Sequence, residues 1–124
     1  MSHEHLRVYQ AAQLFRAEVD TLHEGMGSRF DGAYEHLDDA LNSISNNVAE
    51  GCASTYPGKQ RQFYDIALAS NGEVRNCLQS LARRGAFPGK NIHKAVTYTW
   101  VIDKMLRALI KRVSAEHPMR PASQ

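Results

Sequence analysis

The sequence predicts an all-α fold, an antiparallel up-and-down four-helix bundle, on three observations. Four stretches repeat apolar residues at alternating spacings of three and four, glycine and proline punctuate the segments between them, and no segment alternates apolar with polar residues as a half-buried strand would. Helices that each carry one apolar stripe and are joined by short connections bury those stripes against one another.

The first stretch, residues 5–24, sets Val8, Ala12, Phe15, Val19 and Leu22 on one face at roughly 100° per residue. GMGSRFDGA, from Gly25, interrupts the pattern with three glycines, and Asp31 stands where it could cap the next helix. Leu37, Leu41, Ile44 and Val48 then repeat the four, three, four spacing, and Cys52 extends the line.

That second line runs through SISNNVAEGCAS, residues 43–54, a polar segment that could be read as a phosphate-holding loop. The apolar stripe reads it as helix, and no GxxxxGK[ST] pattern is present. Serine and asparagine compete for backbone hydrogen bonds, so packing must hold this turn together. Gly51 either lets another backbone approach or begins the helix's end, and STYPG, from Ser54 to Gly58, supplies the break.

The third helix has an inward line of Phe63, Ala67, Ser70, Val74, Cys77 and Leu81, with Tyr64, Leu68 and Leu78 on a neighbouring face. Two apolar faces on one helix predict burial in a wide core or against another subunit. RRGAFPGKN, from Arg83 to Asn91, carries stop signals. The last helix turns Ala95, Thr99, Ile102, Leu106, Leu109 and Val113 inward and fades at His117-Pro118. One bundle domain over residues 1–117, followed by a flexible tail at 118–124, is the expected organisation.

Bulk properties agree with one folded domain. The 124 residues are 43% hydrophobic and 23% charged, which excludes a disordered or membrane-embedded chain. No run approaches the roughly 20 apolar residues of a bilayer span. MSHEHLRVYQ lacks a basic segment followed by an apolar one, so a cytoplasmic location is expected. Cys52 and Cys77 match neither a zinc pattern nor a disulfide framework and read as small buried thiols.

A net charge of +2 says little about partners, but its distribution says more. With Lys90 as the origin, Lys90, Lys94, Lys104, Arg107, Lys111 and Arg112 fall within an arc of about 140° on the last helix, opposite its core line. Trp100 lies on the same side. Cations that release counterions, beside a ring that offers a stacking face, suit a phosphate backbone and its bases. The same residues also suit a plain wet face, with Trp100 at a subunit contact. Arg83, Arg84 and Lys90 either extend the patch or neutralise a helix end.

Ser43, Asn47 and Glu50 share a flank of the second helix, opposite Glu73 and Arg75 of the third. Structural hydrogen bonding is the expected role of Ser43, Asn47, Glu50 and Glu73, although Glu50 and Glu73 also resemble a carboxylate pair for acid-base or metal chemistry. The Glu-x-x-His pattern of di-iron bundles is absent. The six histidines show no spacing that requires convergence, and His3 and His5 fall at the chain's start, expected to be mobile. No serine or cysteine can be tied to a histidine and an orienting acid. Neither a cofactor, a metal nor an enzymatic activity is expected.

The residues from about Leu6 to Val113 resemble the 23S rRNA intervening-sequence family of four-helix bundles, related in fold to accessory proteins of diversity-generating retroelements. SISNNVAEG is similar to the family's SIPSNIAEG, matching at Ser43, Ile44, Asn47, Ala49, Glu50 and Gly51, with Val48 conservative. LRVYQAAQLF, FYDIALAS with Glu73 three residues on, and KMLRALIKRV agree in register. Ser45 replaces a usual proline, and SNGEV replaces a GSLAE-like segment. The resemblance implies a homopentamer, often with a central channel, and no established enzymatic activity. Members are suspected of binding nucleic acid, and the retroelement relatives bind both nucleic acid and a reverse transcriptase. The expectation is an oligomer that binds RNA, DNA or a nucleic-acid-processing enzyme such as a reverse transcriptase. The alternative is a structural scaffold with Trp100, Tyr64 and Leu68 at subunit contacts.

Overall fold

The computed structural model describes residues 3–116. It contains α1 (His3–His23), α2 (Asp31–Ala53), α3 (Pro57–Arg83) and α4 (His93–Glu116), with a short 3-10 turn at Ser28–Phe30. The segment 43–53 is helical to its last residue, so the polar stretch is the C-terminal half of α2. The proposed tail at 118–124 lies outside the described residues.

Each helix packs against two others, α1 on α2, α2 on α3, α3 on α4 and α4 back on α1. Cross-helix pairs give the directions. Arg16 meets Asp38 while His23 stacks on Tyr34; His36 meets Glu73 while Ser43 meets Ser70; Asn71 meets Thr99 while Arg61 meets Ser114. Along each seam one residue number rises as its partner's falls, so successive helices are antiparallel.

The core follows three of the four stripes as read. Val8, Ala12, Phe15, Val19 and Leu22 are buried, as are Leu37, Leu41, Ile44 and Val48, and Ala95, Thr99, Ile102, Leu106, Leu109 and Val113. Burying a side chain such as Phe15, Leu37 or Ile102 contributes roughly 1.5–3 kcal/mol, against about 0–1 kcal/mol for an exposed ion pair, so the stripes set the fold.

On α3 the register differs from expectation. Tyr64, Ala67, Val74, Leu78 and Leu81 are buried, whereas Phe63 and Cys77 are half-buried. α3 packs on both α2 and α4, and its buried arc is centred between the two candidate lines. Tyr64 is fully enclosed, which removes it from any subunit contact. Its ring fills the space at Gly51, where an added β-carbon would lie within 2.8 Å of Cδ1 and closer still to Cε1. The close approach at Gly51 is therefore by a side chain, and Gly51, not Cys52, ends the buried line. Cys52 and Cys77 are half-buried free thiols, and burial, with Glu73 nearby, pushes the Cys77 thiol up.

The ends are closed by residues outside the stripes. Phe30, Ala86 and Phe87 are buried at the bundle end holding the α1–α2 and α3–α4 connections, with Arg29 and Arg84 lying over the Phe30 ring. Asp31 makes no capping hydrogen bond and sits in the first turn of α2, where its charge suits the helix dipole. Pro57 occupies the first turn of α3, where its missing N–H costs nothing. Gly25, Gly85 and Gly89 have positive φ in the connections. No helix among the described residues is long and apolar enough to cross a membrane.

Candidate nucleic-acid interface

α4 carries Lys94, Lys104, Arg107, Lys111 and Arg112 against Asp103 and Glu116, and all five cations are exposed. Their side lies away from the buried line, because roughly 100° per residue separates the two sets around one helix. Lys90 belongs to the connection before α4 and not to the helix. Its ammonium donates to the carbonyl oxygens of Thr21 and Glu24, satisfying the C-terminus of α1. Lys90 is thus a helix cap, and the stripe begins at Lys94.

The remaining cations divide by their partners. Lys94 lies 3.6 Å from Glu18, Arg107 donates to Asp103 at 2.9 Å, and Arg112 donates to Glu116 at 2.8 Å and to Glu4. Those two acids push the Arg112 guanidinium pKa up. Lys104 and Lys111 form no ion pair among the described residues, and neither does Arg7, whose exposed side chain lies across the α1–α4 seam. Arg7 was not distinguished by sequence reasoning, since only the folded seam brings α1 beside α4.

Trp100 is 57% exposed. The Arg75 guanidinium of α3 lies over its ring, 3.5 Å from the centroid. Arg75 Nε donates to Thr99 Oγ1 at 2.8 Å, a second guanidinium N–H donates to the Thr99 carbonyl at 3.3 Å, and Asp103 stands 3.7 Å away. Asn71 Nδ2 donates to the same carbonyl at 2.7 Å, while its buried Oδ1 has no hydrogen bond among the described residues. This cluster ties α3 to α4 directly beneath the exposed indole.

The flank of α2 separates into two parts. Ser43 Oγ and Ser70 Oγ are 2.7 Å apart, and Asn47 Nδ2 donates to the Ser43 carbonyl at 2.8 Å and to its Oγ at 3.1 Å. Glu73 pairs with His36 at 2.9 Å on the exposed surface. Glu50 departs from the expected role: it is exposed, its carboxylate makes no hydrogen bond or ion pair among the described residues, and Arg75 points to α4 instead. Position along the helix explains this, since Glu50 lies near the α2 C-terminus while Arg75 lies level with Thr99. Glu50 and Glu73 lie about 15–21 Å apart along the antiparallel α2–α3 seam, counting roughly 1.5 Å per residue from the Ser43–Ser70 and His36–Glu73 contacts, so they do not form a pair. Among the described residues, no three His, Cys, Asp or Glu side chains converge as metal ligands.

His5 also departs from expectation. It lies in α1, is buried, and hydrogen-bonds through Nε2 to the Tyr64 hydroxyl. Burial holds its pKa below the ordinary value, with Arg112 lowering it further and Glu4 opposing.

Beside the basic edge, α1 and α4 enclose a groove of about 410 Å³ lined by Ala11, Leu14, Tyr98, Val101 and Met105, with Arg7 and Lys94 on its rim. Leu14 and Val101 are exposed there.

No curated protein matches the chain in sequence. The family model described as 23S rRNA-intervening sequence protein matches residues 4–108, from the first turn of α1 through most of α4, and the chain belongs to that family.

Proposed function

We propose that this protein is a non-enzymatic, oligomeric bundle protein that binds RNA or DNA through the outer edge of α4. The observation that carries this reading is the pair Lys104 and Lys111, exposed and without acid partners among the described residues, on the helix that presents Trp100. Lys94, Arg107 and Arg112 add cations whose charge is partly offset by their acids. Unpaired ammonium groups exchange counterions for phosphates, whereas paired ones first give up a partner. Membership in a family named for an rRNA insertion supports a nucleic-acid role. Assembly, with five subunits as the family resemblance implies, would multiply a weak patch into useful avidity. A nucleic-acid-processing enzyme such as a reverse transcriptase would be a natural protein partner at the same edge.

The test is charge reversal at Lys104, Arg107 and Lys111 together. All three are exposed, so the variant is expected to keep its helical circular dichroism and melting temperature while losing binding to RNA and DNA at low salt. Retained binding by the folded variant contradicts the reading.

The apolar groove between α1 and α4 favours a second reading, a scaffold whose exposed Leu14 and Val101 contact another subunit. Leu14→Glu combined with Val101→Glu is then expected to reduce the assembly's size in sedimentation, and a scaffold without a nucleic-acid role would bind no strand at any salt concentration.

A further inference from the structure

We propose that the outer face of Trp100 is a stacking site for one unpaired base, which makes single-stranded nucleic acid the preferred ligand. This rests on the nucleic-acid reading of α4 given above. One face of the indole is occupied by the Arg75 guanidinium at 3.5 Å, yet the residue remains 57% exposed, so its free area is the opposite face and the ring edge.

The ring is held before any ligand arrives. Arg75 is itself fixed by Thr99 and Asp103, and its side chain is only 13% exposed. A side chain already ordered loses less conformational entropy on binding. Its neighbours select the ligand's charge. A cation approaching the indole would meet Arg75 behind the ring and Lys104 one turn along, so a cation-binding role is disfavoured. An aromatic group carrying negative charge fits both requirements, and a nucleotide is such a group.

Spacing along α4 extends the site. Lys104 and Lys111 lie about 6 Å and about 16 Å from Trp100 along the helix axis, within reach of phosphates that follow the stacked base. In a duplex each base is already stacked on its neighbours, and exposing a face costs unstacking, whereas an unpaired base offers its face directly.

Trp100 is the chain's single tryptophan, so intrinsic fluorescence reports on this ring alone. Full-length protein is titrated with a uridine homopolymer and with an abasic strand of equal length and phosphate number. The uridine strand is expected to quench the fluorescence and to bind roughly 5- to 100-fold more tightly than the abasic strand. Trp100→Ala is expected to abolish that difference while leaving abasic binding unchanged, and Trp100→Phe to retain most of it, with circular dichroism establishing that both fold. Equal binding of the two strands without quenching overturns the stacking site and leaves the phosphate reading standing. Failure of both strands to bind at low salt overturns both. A Trp100→Ala variant that dissociates the assembly but keeps the uridine preference assigns the indole to a subunit contact and overturns the stacking site.

Discussion

Tyr64 fixes three helices through one side chain: it is carried by α3, its ring covers Gly51 of α2, and its hydroxyl meets His5 of α1. A methyl group at Gly51 would overlap that ring, so Gly51→Ala is expected to destabilise the fold by about 1–3 kcal/mol through overpacking. In a Tyr64→Ala background the penalty is expected to shrink, which a double-mutant cycle by urea unfolding would measure. His5 gives a pH dependence of definite sign. Its folded pKa lies below the ordinary value of about 6.5, so the unfolded chain takes up the proton first as the solution is acidified. The stability it contributes is present above about pH 6.5 and is lost as the pH falls through the folded pKa. Unfolding midpoints measured on either side of pH 6.5 are expected to drop on acidification, and His5→Gln to show a smaller drop. Gly51, a glycine within a helical segment, announced a close approach or the helix's end, but His5 gave no such signal. Its partner is 59 positions away, and only the antiparallel return of the chain brings them together.

The α3–α4 seam is organised around Arg75, which spans Thr99, Asp103 and Trp100. Removing it deletes two hydrogen bonds from a charged donor and uncovers one face of the indole. Arg75→Ala is expected to cost about 1–3 kcal/mol by urea unfolding and to lower the fluorescence anisotropy of Trp100 as the ring gains freedom. At this scale the sequence was legible where a helix has one buried stripe. The lines on α1, α2 and α4 could be read from spacing because each holds one continuous four-and-three repeat, although α1 and α4 also expose apolar residues such as Leu14 and Val101. α3 has two adjacent apolar lines, and spacing alone does not say which faces the core; Tyr64 and Leu78 do. The connections hid more. Lys90 fell into the angular count of α4, yet its backbone precedes the helix and its ammonium caps α1. Phe30 and Phe87 carry no periodic signal and are buried because they close a bundle end.

Across the whole molecule, charge is segregated by helix. α2 carries Asp31, Glu35, Asp38, Asp39 and Glu50 with no lysine or arginine, while α4 carries five cations and two acids. Each helix packs only on its neighbours in the ring α1–α2–α3–α4, so these two stand at opposite corners. A polyanion is therefore attracted to the α4 edge and repelled from the α2 edge, which orients its approach. The four-helix architecture was legible because it follows from stripes and breaks alone. The basic edge was legible only in outline, since an angular count locates cations without showing which already have acids. The most direct test of the central claim, that unpaired cations on α4 hold phosphates, is the salt dependence of binding to a single-stranded homopolymer. The logarithm of the association constant is expected to fall linearly with the logarithm of salt concentration, with a slope of about −1.5 to −2 per engaged subunit for two to three neutralised phosphates. Affinity indifferent to ionic strength, or no binding even at low salt, would contradict it.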